Sequence, residues 1–291
     1  MRYTLQKMSH SRSKLFFVLF ILVLLIGCQR QSFDETRAFD YIATQVAFGP
    51  RIPGSKISRE FQKYLSDELF DLGWSVEHQM FIFQDTSLTN IIARNSDQAP
   101  DILLGTHYDT RSISDRDSNP SFQMTPVPGA NDGGSGTAIL MELAHHLVEV
   151  DKNIWLVFFD AEDQGRINNW DWSIGAQFFV DNLEKSPQKT IIIDMVGDSD
   201  LNIFIENNSS QTLVHEIWRT AKINGYEEYF IPESKYSIMD DHVPFLAKGI
   251  PAVLIIDLDY PHWHTTNDNL EHISKDSLNI VGSTILDYVT H

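Results

Sequence analysis

The chain has 291 residues, 22 of them basic against 40 acidic, for a formal charge of −18 at pH 7, and a single cysteine, Cys28. A surface this acidic repels phosphodiester backbones and anionic lipid headgroups, which argues against a nucleic-acid partner. One cysteine allows no intramolecular disulfide, so the folded part is held together by its core alone.

Arg2, Lys7, Arg12 and Lys14 precede an unbroken apolar run from Leu15 to Ile26, which leads into Gly27-Cys28. That run is shorter than the about 20 residues a helix needs to cross a ~30 Å hydrocarbon core. Residues 1–27 therefore read as a secretory signal with a lipoprotein cleavage site. Cys28 is the expected lipidation site, and more than one acyl chain there would anchor the protein stably in a membrane, facing the periplasm or the cell exterior. Residues 28–33 read as a tether and 34–291 as one α/β domain with a sizeable core.

Helical spacing through Phe39, Ile42 and Val46 predicts a first helix over 34–48. Phe61, Tyr64, Leu65, Leu69 and Leu72 share a face of a second over 58–72, which Gly73 ends. Residues 76–83 and 89–93 read as strands, and 102–105, 154–159, 190–195 and 252–256 as short buried strands. Helical patterns lie at 136–150, 174–183, 211–224, 243–248 and 275–288. Strands alternating with helices predict an α/β fold, a three-layer α/β/α sandwich whose mixed central sheet is mostly parallel and covered on both faces.

The unusual polar residues fall just after the buried strands, where ligands bind in open α/β sheets. The first such strand runs into Thr106-His107-Tyr108-Asp109, in which the carboxylate can orient the imidazole. Asp132 follows in Gly129-Ala130-Asn131-Asp132-Gly133-Gly134. Capping the next helix is its simplest role, but the glycines also free the backbone to aim the carboxylate inward. Asp160, Glu162 and Asp163 crowd the end of 154–159, a conflict that a shared cation or proton resolves. Asp194 sits in the apolar run Ile191–Val196, where an unpaired carboxylate is costly. Asp240-Asp241-His242 and His262-Trp263-His264-Thr265 complete the series.

In order, HYD, GANDGG, DAED, IIIDMVG, MDDHVPF and HWHTTND resemble the motifs of the zinc aminopeptidases with a co-catalytic metal pair, over roughly residues 35–291. That resemblance implies the zinc exopeptidase-like fold. Two activities share the scaffold, a di-zinc aminopeptidase and a one-zinc glutaminyl-peptide cyclotransferase. Three segments look more like the cyclase: Trp263-His264-Thr265, Ile238–Leu246 and Trp170-Asp171-Trp172. The resemblance then implies one Zn²⁺ on Asp132, Asp163 and His264, with Glu162 as proton shuttle and Asp194 and Asp240 as a hydrogen-bonded acidic relay. Trp263 and one of Trp170 or Trp172 would wall a pocket for the N-terminus of a peptide or protein. His107 and Asp194 would complete a second zinc site if the chain is the aminopeptidase. Two positions depart from the animal cyclases: Asp163 stands in place of Glu, and Leu254 in place of a His in the outer relay. An inactive binding lipoprotein on the same scaffold is the reading from another class, and the intact ligand set with Glu162 weighs against it.

Overall fold

The structure is a computed structural model that describes residues 32–291. The signal segment and Cys28 lie outside the described residues. Phe33, assigned above to the tether, is buried in the main core and begins the compact unit Phe33–His291.

Asp34 starts α1 (Glu35–Phe48) as its N-cap, accepting from the Thr36 and Arg37 N–H groups. Ser55 does the same for α2 (Lys56–Asp71) through the Ser58 N–H. Caps of this kind satisfy donors that the first helical turn leaves unpaired. Strands β1 (Ser75–Phe83), β2 (Thr86–Arg94) and β3 (Ile102–His107) follow, then α3 (Gly134–Leu147) and β4 (Ile154–Phe159). The chain continues through α4 (Ile174–Asp181), β5 (Lys189–Asp194), β6 (Ile203–Glu206), α5 (Gln211–Ile223) and β7 (Phe230–Tyr236). It ends with α6 (His242–Ala247), β8 (Ala252–Ile256) and α7 (Lys275–Thr290).

The main sheet has the order β1-β2-β4-β3-β5-β8. The β1–β2 and β2–β4 pairs are antiparallel, and β4–β3, β3–β5 and β5–β8 are parallel. Strands β3, β4, β5 and β8 are buried along their length, apart from half-exposed Lys189 at the start of β5. Their near-continuous apolar sequences answer to a sheet covered on both sides. One face packs on α1, α2, α3, α5 and α7 through Ile42, Leu65, Leu140, Ile217 and Val281. The other packs on α4 and α6 through Phe179 and Phe245. The expected three-layer architecture is therefore the observed one. Each fully buried aliphatic or aromatic side chain contributes about 1.5–3 kcal/mol relative to exposure, and a chain without disulfides depends on that sum.

The sequence reading missed the separate parallel pair β6–β7. Strand β6 has only four residues, and β7 reads FIPESKY, with Pro232 and three mostly exposed polar residues instead of an alternating apolar face.

The four parallel strands end at one edge of the sheet. His107 closes β3, Asp160–Asp163 follow β4, Asp194 closes β5, and residues 257–268 follow β8.

Candidate metal centre and active-site cleft

At that edge two buried groups share one carboxylate. His107, Asp132 and Asp194 form the first group, and Asp132, Asp163 and His264 the second, with one candidate ligand atom from each member within 4.8 Å of the others. His107 Nε2 lies 3.2 Å from Asp132 Oδ1 and hydrogen-bonds Asp194 Oδ1 at 3.1 Å. His264 Nε2 lies 3.0 Å from Asp163 Oδ1 and 3.8 Å from Asp132 Oδ2.

Asp132 does not cap α3. The N-cap is Gly133, in the left-handed region at φ 72, with no side-chain cap bond. A Cβ there would stand 2.5 Å from Asp109 O, so the turn needs glycine. The Asn131 and Asp132 N–H groups donate instead to Asp268, at 2.8 and 3.1 Å. Arg51, fully buried, donates to the carbonyls of Tyr108, Pro128 and Gly129 and so ties the His107 loop to the Asp132 loop.

The three acids after β4 go separate ways. Asp160 accepts from the Thr89 N–H at 2.9 Å and serves the sheet. Ala161 is in the left-handed region at φ 59. Beyond it, the N–H groups of Glu162 and Asp163 both donate to Asp109. Glu162 lines the cleft and accepts from Ser173 Oγ at 3.4 Å. Asp240 also lines the cleft, where burial and the neighbouring Asp194 push its carboxyl up to about 7. Asp194 Oδ1 pairs with His107 Nε2, and Asp240 Oδ1 accepts from the Asp241 N–H, which leaves the second oxygen of each carboxylate for the expected relay.

The cleft has a volume of about 840 Å³ and is lined by Asp132, Glu162, Asp163, Asp194, Trp172 and Trp263, among others. His264 lies between two indoles, 4.1 Å from the Trp263 ring and stacked at 6.0 Å with Trp172. A Cβ on Gly165 would collide with the Trp172 ring at 2.1 Å, so that seat depends on glycine. Trp170, the other candidate wall, packs edge-on against Phe83 in a small separate cluster and does not line the cleft.

Two residues of the site carried no sequence signal. Asp115 Oδ1 sits 3.3 Å from His264 Nδ1, while Arg111 holds Asp115 through both carboxylate oxygens and reaches Asp163 Oδ1 at 3.4 Å. A carboxylate behind an imidazole fixes the ring's orientation and tautomer. Both residues lie in a polar loop, RSISDRDS, whose pattern does not reveal that it folds back on the cleft.

The charges are unbalanced without a cation. Burial, reinforced by Asp240, Asp241 and Asp163 against the pull of His107, raises the Glu162 carboxyl well above its ordinary range. Burial and Asp132 push Asp163 up to about 6. Burial alone would lower His107 and His264, but the surrounding carboxylates reverse it, lifting His107 well above its usual value and His264 to about 9.

A metal fits this centre on hydrogen-bonding grounds. Asp132 Oδ2 and Asp163 Oδ2 are buried with no hydrogen-bond partner, and orphan polar atoms of this kind are costly. Oxygen and imidazole-nitrogen donors suit Zn²⁺, and three protein ligands leave a position open for substrate. The His107 group fits less well, since Asp132 supplies its one orphaned carboxylate oxygen.

The charge pattern also sets how stability depends on pH. Burial pushes Asp160 and Asp257 each up to about 7. Between about pH 4 and 7 the folded chain therefore binds more protons than the unfolded chain, so stability falls as pH rises. His264, raised to about 9, contributes stability that is lost between about pH 6.5 and 9. Glu206 runs the other way: burial opposes, but His242 and backbone N–H groups take it down to about 2, so its effect lies below this window. Calorimetry of the chelated protein should give a lower Tm at pH 8.5 than at pH 5.5. A flat or rising Tm would contradict these assignments.

Comparison with known proteins agrees with this geometry. The family model described as Peptidase family M28 matches residues 90–289, more than half of the chain. The glutaminyl cyclase of Porphyromonas gingivalis is 33% identical, with a TM-score of 0.85 over 89% of this chain and 99% of that one. A Zn-dependent exopeptidase from Parabacteroides distasonis is 32% identical, also at a TM-score of 0.85, over 90% of this chain and 99% of that one. The aminopeptidase YwaD of Bacillus subtilis is 34% identical over 205 residues, a match that takes in 64% of this chain and only 40% of that protein's length.

Proposed function

The chain belongs to peptidase family M28 and is an enzyme, and we propose that within this family it is a zinc-dependent glutaminyl-peptide cyclotransferase. It would convert the N-terminal Gln of peptides or proteins to pyroglutamate and release ammonia. The observation that carries this reading is the asymmetry of the two acidic groups. Asp132 and Asp163 each offer an unpartnered buried carboxylate oxygen to the second group, whereas in the first only Asp132 does. One well-prepared metal site beside two indoles answers to a cyclase, and the likeness to the bacterial cyclase supports it.

Asp132, Asp163 and His264 would hold the ion, which when bound supplies Lewis-acid polarisation of the substrate's γ-carbonyl. Glu162, buried in the cleft with a raised proton affinity, takes a proton from the substrate's α-ammonium. The freed amine nitrogen attacks the carbonyl carbon of the side-chain amide, Cδ, and forms the lactam C–N bond. The C–NH₂ bond breaks as Glu162 gives its proton to the departing ammonia and then takes the second proton of the attacking nitrogen, which leaves a neutral lactam N–H, so that it acts as base, acid and base again. Trp263 and Trp172 cover the methylenes of Gln and keep competing water away. Because the reaction is intramolecular, holding the chain bent supplies much of the rate.

The pure protein should release ammonia from Gln-peptides and leave Leu- and Ala-peptides uncut. Trp263→Ala should weaken Gln-peptide turnover while metal content is retained. Release of free amino acids from Leu-peptides, with no ammonia from Gln-peptides, would turn the reading to an aminopeptidase.

The lipid anchor and the exported location are part of the same proposal, carried by the basic, apolar and Gly27-Cys28 series at the N-terminus. Cys28→Ser should leave an unprocessed or soluble form on membrane fractionation. A processed, membrane-bound mutant would end the lipoprotein reading.

A further inference from the structure

Three arginines line the cleft of this strongly acidic chain, and their situations differ. Arg111 is saturated by Asp115, Asp163 and the Gly165 carbonyl. Arg116 is exposed and lays its guanidinium over the Trp263 ring, 3.9 Å from the ring centre. Its backbone N–H donates to the His264 carbonyl at 3.2 Å, so its place beside the cleft is fixed. Arg166 is exposed on the loop that carries Trp172, held in the left-handed region at φ 67. Neither guanidinium has a carboxylate partner among the described residues, whereas most other exposed lysines and arginines do pair with an acid or a carbonyl. Asp115, next to Arg116 in the chain, is already paired with Arg111.

The cleft is also larger than one glutaminyl side chain needs, its volume being that of a site for a drug-sized ligand. The residues after the N-terminal one therefore have room within the cleft, whose exposed lining includes Arg116, Arg166, Met124 and Met239. Arginine forms paired, charge-assisted hydrogen bonds to carboxylates, and a cation already resting on an aromatic face loses little freedom when it does so.

We infer that Arg116 and Arg166 select substrates with a carboxylate just downstream of the N-terminal residue, either an acidic second or third side chain or the free C-terminus of a very short peptide. The inference rests on the peptide-processing reading above but does not depend on which branch holds. The overall charge makes it unobvious: a protein this acidic should on average repel acidic peptides, and the rim reverses that locally.

The test uses the full, zinc-loaded chain and four peptides, Gln-Ala-Ala-amide, Gln-Glu-Ala-amide, Gln-Lys-Ala-amide and Gln-Ala-Ala with a free carboxylate. The Glu peptide should exceed the neutral amide in kcat/KM by roughly 5-fold at low ionic strength, the order expected of an exposed but oriented ion pair, and the Lys peptide should fall below it. The advantage should shrink at 0.5 M salt, where screening is short-ranged. Comparing the free acid with its amide separates a C-terminal carboxylate from a side chain. In Arg116→Gln and Arg166→Gln the ratio of Glu to neutral peptide should drop towards one, and Arg116→Lys should keep part of it. Equal rates across the series, a preference for Lys, or a ratio unchanged in the double Gln variant would overturn the inference. If no Gln-peptide yields ammonia, the cyclase reading fails separately, and the same charge series on Leu-X-Ala peptides, read by amino-acid release, still tests the rim.

Discussion

Glu162→Gln is expected to keep zinc at wild-type stoichiometry while turnover of Gln-peptides falls by about 10²–10⁴-fold, the usual range for a lost general acid–base group. The substitution retains the shape and an oxygen that can accept from Ser173 Oγ, but it cannot carry a proton between two nitrogens. Stability should move the opposite way. The folded state holds the Glu162 carboxyl well above its ordinary range, with burial the leading cause, so at pH 7 the wild-type cluster bears the cost of a disfavoured charge. A neutral amide removes that cost. The sign follows from linkage: the gain is present in full above the raised folded value and vanishes as pH falls to the ordinary carboxyl value. The chelated variant should therefore melt higher than chelated wild type at pH 8 and match it more closely near pH 4.5. With zinc bound the difference should narrow, because a cation supports the ionised Glu. A more stable but slower enzyme is the expected result of relieving strain at an active site. If zinc is lost instead, Glu162 is a ligand and Asp163 becomes the candidate base.

Much of this site was readable from residue type and position alone, for a physical reason. A carboxylate at the end of an apolar strand, such as Asp194, or three acids after one, such as Asp160–Asp163, violates the usual burial pattern, and such violations concentrate at functional sites. Buried parallel strands were legible for the same reason, since a continuous apolar run such as IWLVFF has few alternatives. What the sequence hid depended on long-range folding of polar loops. Asp115 and Arg111 act because their loop is strapped to the His264 loop by Arg116 N–H to His264 O and by Thr266 to Asp117. Nothing local in RSISDRDS distinguishes that from a solvated turn. Trp170 and Trp172 were equivalent as sequence; only the turn at Ser173, at φ 58, and the empty α-carbon of Gly165 send Trp172 to the cleft.

The second large effect concerns the metal, and it separates the two branches. Chelation should abolish activity and Zn²⁺ restore it. His264→Ala should lower zinc affinity by more than the ~10–100-fold that loss of a supporting residue costs, since it removes a ligand outright. Asp115→Asn should fall in that supporting range, because it leaves His264 in place but weakens the acceptor at its Nδ1. His107→Ala is the discriminating variant. Its Nε2 is engaged by Asp194 and its Nδ1 lies 3.4 Å from Asp109, so in a one-zinc enzyme it braces the site without binding the ion. Metal analysis should find close to one zinc per chain in wild type and nearly the same in His107→Ala. In a two-zinc enzyme both numbers change: wild type holds two, and the variant loses one while Asp132 keeps the other with Asp163 and His264. Because this readout is stoichiometry, it stands even if the variant's turnover is low. Two zinc ions in wild type falling to one in His107→Ala, with release of N-terminal amino acids, would replace the cyclase with an aminopeptidase on the same fold.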